Sequence, residues 1–119
     1  MINPRNKQFR LSASQIKPLA TGHGGCMATD RITVDGQRVG YMSREATDRD
    51  YDSGWCFMAG DESQEYADTA GNYEIYDVNT IANYDPEIIP LLDAPPGSAF
   101  ARNSVTGCFE QVPYEPPED

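Results

Sequence analysis

The sequence predicts an α+β fold: one domain with an antiparallel sheet of about five strands and a few short helices packed on it. Three observations lead there. Residues 55–59 (Trp55, Cys56, Phe57, Met58, Ala59) form an apolar run without alternation, closed by Gly54 and Gly60. Such a run reads as a strand covered on both faces, because a half-exposed strand places a polar residue at every second position. Further short runs rich in β-branched and aromatic residues are separated by turn residues. Nine prolines and ten glycines promise many turns, while 39% hydrophobic and 10% aromatic residues over 119 positions suit one folded domain that needs no staples.

In chain order, residues 1–8 are polar and read as a flexible N-terminus. Over 9–20, Phe9, Leu11, Ile16 and Leu19 predict a short helix, capped by Ser12 or Ser14 and ended by Pro18. A glycine loop (Gly22, His23, Gly24, Gly25) follows. Two strand-like runs, 26–34 and 37–44, flank Asp35-Gly36 and predict a hairpin with a type I′ turn, with Val39 and Tyr41 on one face of its second strand. Residues 45–53 form a charged loop into the central strand. Residues 61–70 predict a short helix with Ser63, Tyr66, Ala67 and Ala70 on one face and Asp61, Glu62, Glu65 and Asp68 on the other. Residues 73–78 predict a further strand. Asp85-Pro86 marks a cap followed by a turn of helix, which Pro90 keeps short. Pro95-Pro96-Gly97 is a turn, and 98–102 with 108–112 predict a closing hairpin. The domain therefore spans 9–112, with an acidic, proline-rich tail over 113–119 expected to be extended or disordered.

The formal charge is −10 and lopsided: eight Lys/Arg against five Asp/Glu in residues 1–50, then one arginine against fourteen acids in 51–119. A polyanion of this kind disfavours nucleic acid and anionic membrane as partners. Three cysteines without a CxxC pair suit reduced core thiols rather than a disulfide framework. No secretory signal and no run of about 20 apolar residues is present, so the sequence predicts a soluble, cytoplasmic protein.

No catalytic constellation stands out. His23, the one histidine, forms His-x-x-Cys with Cys26, and two ligands are too few for a zinc site. The Gly22–Gly25 stretch lacks the lysine of a P-loop and the spacing of a dinucleotide fingerprint. Asp61, Glu62, Glu65 and Asp68, with Asp77 and Asp85 nearby in sequence, lack the alternation and central glycine of an EF-hand, so neither metal nor cofactor is expected. A docking face for a basic protein is the stronger reading of these acids. Tyr66 would add an aromatic anchor, since binding hot spots favour tyrosine and tryptophan. Trp55, by contrast, reads as core, and Asn79 and Asn83 read as turn-locking residues.

The string Val39-Gly40-Tyr41-Met42 with Arg44-Glu45 resembles the bacterial immunity protein 33 family. So do Asp52-Ser53-Gly54-Trp55, Phe57 and Ala59-Gly60-Asp61-Glu62, then the run from Tyr76-Asp77-Val78-Asn79-Thr80-Ile81 to Asp93, and Gly97-Ser98-Ala99-Phe100. The similarity covers about residues 25–110. The resemblance implies a cytoplasmic, non-enzymatic antidote that binds and neutralises a cognate, basic toxin domain. The alternative from another class is a small housekeeping domain binding a metal ion or small ligand, with or without hydrolytic activity. Whether the chain acts as a monomer or a dimer is not legible in the sequence.

Overall fold

The structure, a computed structural model, describes residues 9–48 and 50–114. The expectations for residues 1–8 and 115–119 lie outside the described residues. Six strands form one mixed sheet: β1 (Gly25–Thr29), β2 (Tyr41–Arg44), β3 (Asp52–Met58), β4 (Tyr73–Asp77), β5 (Ser98–Arg102) and β6 (Phe109–Val112), in the order β4-β1-β3-β2-β5-β6. Three short helices, α1 (Asp30–Thr33), α2 (Gln64–Ala67) and α3 (Val78–Tyr84), join 3-10 turns at Ala13–Gln15, Ala70–Asn72 and Pro86–Leu91. The α+β class is as expected, but the sheet has six strands rather than five, and β1 runs parallel to β3.

The mixed sheet follows from what Asp35-Gly36 does. Residues 30–33 coil into α1, burying Ile32 and Thr33. Gly36 takes a φ of 80° and donates its N–H to the Ile32 carbonyl at 3.1 Å. That is a left-handed helix stop rather than a hairpin turn. The predicted 26–34 strand therefore ends at Thr29, and β2 pairs with β3 and β5 instead of with β1. Val39 precedes β2 and lies in the core, whereas Tyr41 belongs to the opposite side of the sheet from Met42, so the two do not share a face.

Register defines two faces, because directly opposed residues point the same way. One row runs Glu74, Ala28, Phe57, Met42, Phe100, Gln111 across all six strands. Its central members pack with Trp55, Val78, Ile81, Ala82, Ile88 and Leu92 into the core. The adjacent row on the other face runs Ile75, Met27, Cys56, Ser43, Ala99, Val112. Here β3 departs from expectation: Trp55 and Phe57 are buried, but Cys56 and Met58 are only half-buried. α1, α3 and the Pro86–Leu91 turn cover one face, and the apolar run continues across the other without comparable cover.

Two helices also differ from their predictions. Residues 9–20 form only the Ala13–Gln15 turn, with Phe9 and Leu19 exposed. The segment is fastened from outside instead. Asn79 accepts from the Leu19 and Ala20 N–H groups, each at 2.8 Å, and donates to the Lys17 carbonyl, while Asn83 accepts from the Lys17 N–H. The two asparagines thus do bond to backbone, but from a helix, α3, and to a remote segment. Asp77 caps α3 by accepting from the Asn79 N–H, and Asp85 caps the following 3-10 turn by accepting from Glu87. The closing hairpin of β5 and β6 forms as expected.

Candidate interaction surface

The carboxylates singled out by the sequence do not share one helical face. Ser63 caps α2, accepting from the Tyr66 N–H at 3.1 Å, so Asp61 and Glu62 precede the helix. Arg31 holds Asp61 through two donors, Nε at 3.1 Å and Nη2 at 2.5 Å, and also donates to Asp35. These hydrogen bonds keep the Asp61 carboxyl below the usual aspartate range. Glu62 turns back towards the sheet, accepting from Thr29 Oγ1 at 2.6 Å and from the Ala59 and Gly60 N–H groups, both at 2.8 Å. It is a clasp between the end of β3 and the end of β1.

Glu65 and Asp68 are exposed on α2, and Asp68 accepts from Gln64 Nε2 at 2.9 Å. Tyr66 is half-buried between them and α1; burial, with Asp30, Asp35 and Glu62 nearby, raises its hydroxyl pKa. Tyr73 donates to the Ala67 carbonyl at 2.8 Å, tying α2 to one end of β4. Asp77 stands exposed at the other end of that strand. Asp85 is elsewhere altogether. It is 2% exposed and accepts from Val39 N–H at 3.1 Å and from Arg102 Nη2 at 2.5 Å, on the core side of the sheet. The segment 61–68 therefore gathers Asp61, Glu62, Glu65, Tyr66 and Asp68, Asp77 lies one strand length away, and Asp85 belongs to the interior.

Of the described cations, Arg31 reaches the acid border, bound to Asp61 and Asp35, and the others stand apart from the open face. Arg44 donates to the carbonyls of Ser53, Leu92 and Ala94 with its guanidinium 5.7 Å from the Trp55 ring centre. Arg102 reaches Asp85 and Glu87, Arg38 also bonds Glu87, and Arg10 bonds the Asp35 carbonyl. Lys17 lies in the segment that Asn79 and Asn83 hold. The open face instead carries apolar groups whose exposure climbs towards β4: Ala99 is buried, Cys56 half-buried, Met27 44% exposed and Ile75 78% exposed. Sequence reasoning missed Met27 and Ile75 because only strand register places them side by side. The signal was present in the alternation of 73–77, but nothing local said which face lacked helices.

Among the described residues no group of three or more His, Cys, Asp or Glu side chains is set to hold a metal ion. His23 is half-buried in its glycine turn. A shallow cavity of about 480 Å³ is lined by Glu45, Ala46, Thr47, Asp48 and Asp52, beside the start of β3. No helix of the described residues is long and apolar enough to cross a membrane.

Fold and surface together define a small α+β domain with α1 and α3 on one side of a mixed sheet and an open face bordered by acids, those of α2 among them, on the other. Residues 26–113 match the model of the immunity protein Imm33 domain, from the first strand to just past the last. The chain belongs to the Imm33 immunity protein family. No curated protein and no solved structure gives a match. Membership carries a role in toxin immunity, in which such a protein binds a cognate toxin, and the family is generally non-enzymatic.

Proposed function

We propose that this chain is a non-enzymatic cytoplasmic antidote that binds a basic toxin domain and blocks it, meeting it with its acidic side. The observation that carries this reading is the separation of charge around the sheet. Family membership supplies the partner class, and the open face adds exposed acids (Glu65 and Asp68 on α2, Asp77 at the far end of β4), while Arg31, the described cation at this border, is already bound to Asp61 and Asp35. Tyr66 stands between the α2 acids. Asp61 and Glu62 support the same border indirectly, one clamped by Arg31 and the other closing the β3 end. Opposite charge steers encounter and speeds capture, which suits a protein that must reach a toxin before the toxin reaches its target.

The test is capture of the tagged chain's partner from its own host at low and moderate salt, followed by expression of that partner alone and with the chain. Growth arrest by the partner, relieved by the chain, supports the reading. Rising salt should weaken the complex, and Glu65→Gln with Asp68→Asn should flatten that dependence. A partner whose expression is harmless, or an arrest that the chain leaves unchanged, sinks it.

A further inference from the structure

Among the described residues, three of the six exposed large hydrophobic side chains, Met27, Tyr51 and Ile75, belong to one end of the sheet. Met27 and Ile75 are directly opposed on β1 and β4. Tyr51 meets β1 two residues before Met27, where its carbonyl accepts from the Gly25 N–H at 2.6 Å. Beyond a register shift between β1 and β3, the next row of the open face pairs Gly25 with Asp77 of β4 and with Asp52 of β3. Gly25 has no side chain, so two carboxylates flank a notch in the sheet surface. A Cβ at Gly25 would meet the Tyr51 carbonyl oxygen at 3.4 Å, the Tyr76 carbonyl oxygen at 3.7 Å and Ile75 Cγ2 at 4.0 Å, so backbone oxygens line the notch and Ile75 stands at its apolar edge. Asp52 and Asp77 are fixed there, since each accepts a backbone N–H two residues ahead, from Gly54 and Asn79, both at 2.9 Å.

An apolar pair beside two anchored acids, with no described cation on that face, selects a particular complement. Long cationic side chains lay their methylene stems on apolar surface and keep the charged head in polar company. A carboxylate on either side suits a guanidinium or ammonium head. We propose that the β4–β1 half of the open face, with Ile75 and Met27 as its floor and Asp52 and Asp77 on either side of Gly25, is the docking surface for a partner protein presenting Lys or Arg beside an apolar side chain. This rests on the antidote reading only in identifying that partner as the toxin. It moves the centre of the interface from the 61–68 segment to the strand pair, with Glu65 and Asp68 becoming the border at the opposite end of β4.

The surface is testable without a toxin. The probe is a capped peptide of alternating lysine and leucine, titrated into the full 15N-labelled chain at low salt, with a glutamate–leucine peptide as control. The expected result is saturable amide shifts centred on Gly25, Met27, Tyr51, Ile75 and Asp77 with the lysine peptide alone. Ile75→Lys, and separately Asp52→Asn with Asp77→Asn, should each weaken that binding about tenfold while the remaining spectrum stays native. The amides keep the acceptor oxygens that bond Gly54 and Asn79, so these variants retain both turns. Shifts centred on residues 61–68, equal binding by the variants, or no saturable shift at millimolar peptide would overturn the proposal. So would a wild-type dimer in sedimentation that Ile75→Lys dissolves, because the face would then serve a second copy. If the peptide maps to this surface but the captured partner proves harmless, the antidote reading falls and the surface stands. If the chain neutralises its partner with equal affinity after Ile75→Lys and Met27→Lys, the surface falls and the antidote reading stands.

Discussion

Replacing Asp85 by alanine should destabilise the fold by about 3 kcal/mol, the lower end of what breaking a buried ion pair costs. Its carboxylate is 2% exposed and takes three donors: the Val39 N–H, the Glu87 N–H and Arg102 Nη2. Alanine leaves both N–H groups without their acceptor and strips Arg102 of its buried partner. The lower end applies because Arg102 keeps Glu87, the Val39 carbonyl and the Gly107 carbonyl. A domain of this size has about 5–15 kcal/mol of stability in all, so the loss is large. Trp55, 2% exposed, supplies the fluorescence signal for urea unfolding. With a slope of about 1–3 kcal/mol per molar urea, the midpoint should fall by about 1–3 M. Glu87→Gln should cost far less, because the Glu87 side chain is 55% exposed and its bridges meet solvent. A loss below about 1 kcal/mol for Asp85→Ala with an unchanged slope, or equal losses for the two variants, would refute the argument.

Asn79→Ala removes two acceptor contacts and one donor contact to residues 17–20, so amides in that segment should exchange about 10–100 times faster while those of β3 stay protected, as hydrogen exchange will read. Arginine hydrogen bonds depress the carboxyl pKa values of Asp61 and Glu87 below 3.8 and 4.5 respectively. Their stabilisation is therefore complete above the ordinary carboxylate range and is lost as pH falls through the depressed values. Asp61→Asn with Glu87→Gln should lower stability at pH 7, modestly because both carboxylates meet solvent, and converge with the wild type as pH falls below the ordinary carboxylate range; a gap that persists in acid contradicts this. Burial raises the Cys56 thiol to about 12 and pushes Cys26 up as well, whereas Cys108 is exposed. Cys108 should react quickly with a disulfide reagent at pH 8, half-buried Cys56 more slowly, and buried Cys26 only on unfolding.

What the sequence made legible was local. The β5–β6 hairpin follows from strand-forming runs on either side of Asn103 to Gly107, and Asp85-Pro86 announces its own cap. The β1–β3 pairing was hidden because Ile32, Thr33 and Val34 favour strand on propensity, yet tertiary burial of Ile32 and Thr33 holds them in a helical turn. The 61–70 segment misled for a related reason. Helical periodicity placed four acids on one face, but Ser63 starts the helix later, and Glu62 finds better partners in Thr29 and two N–H groups than water offers. The acids themselves were legible, while the apolar neighbours that give a surface its geometry, Met27 and Ile75, appear only through register.

The place of β1 between β3 and β4 also bears on how the protein comes into being on the ribosome. β1 is the first strand made, yet one neighbour arrives with residues 52–58 and the other with 73–77. Lys17, Leu19 and Ala20 wait equally long for Asn79 and Asn83. β1 therefore waits for residues 52–58 before it finds a strand to pair with, and residues 17–20 wait for 79–83, because pairings distant in sequence form late. A nascent chain halted before residue 77 has neither β4 nor the clasp of α3. The open face, built on β1 and β4 together, would accordingly exist only once residues 73–77 are made.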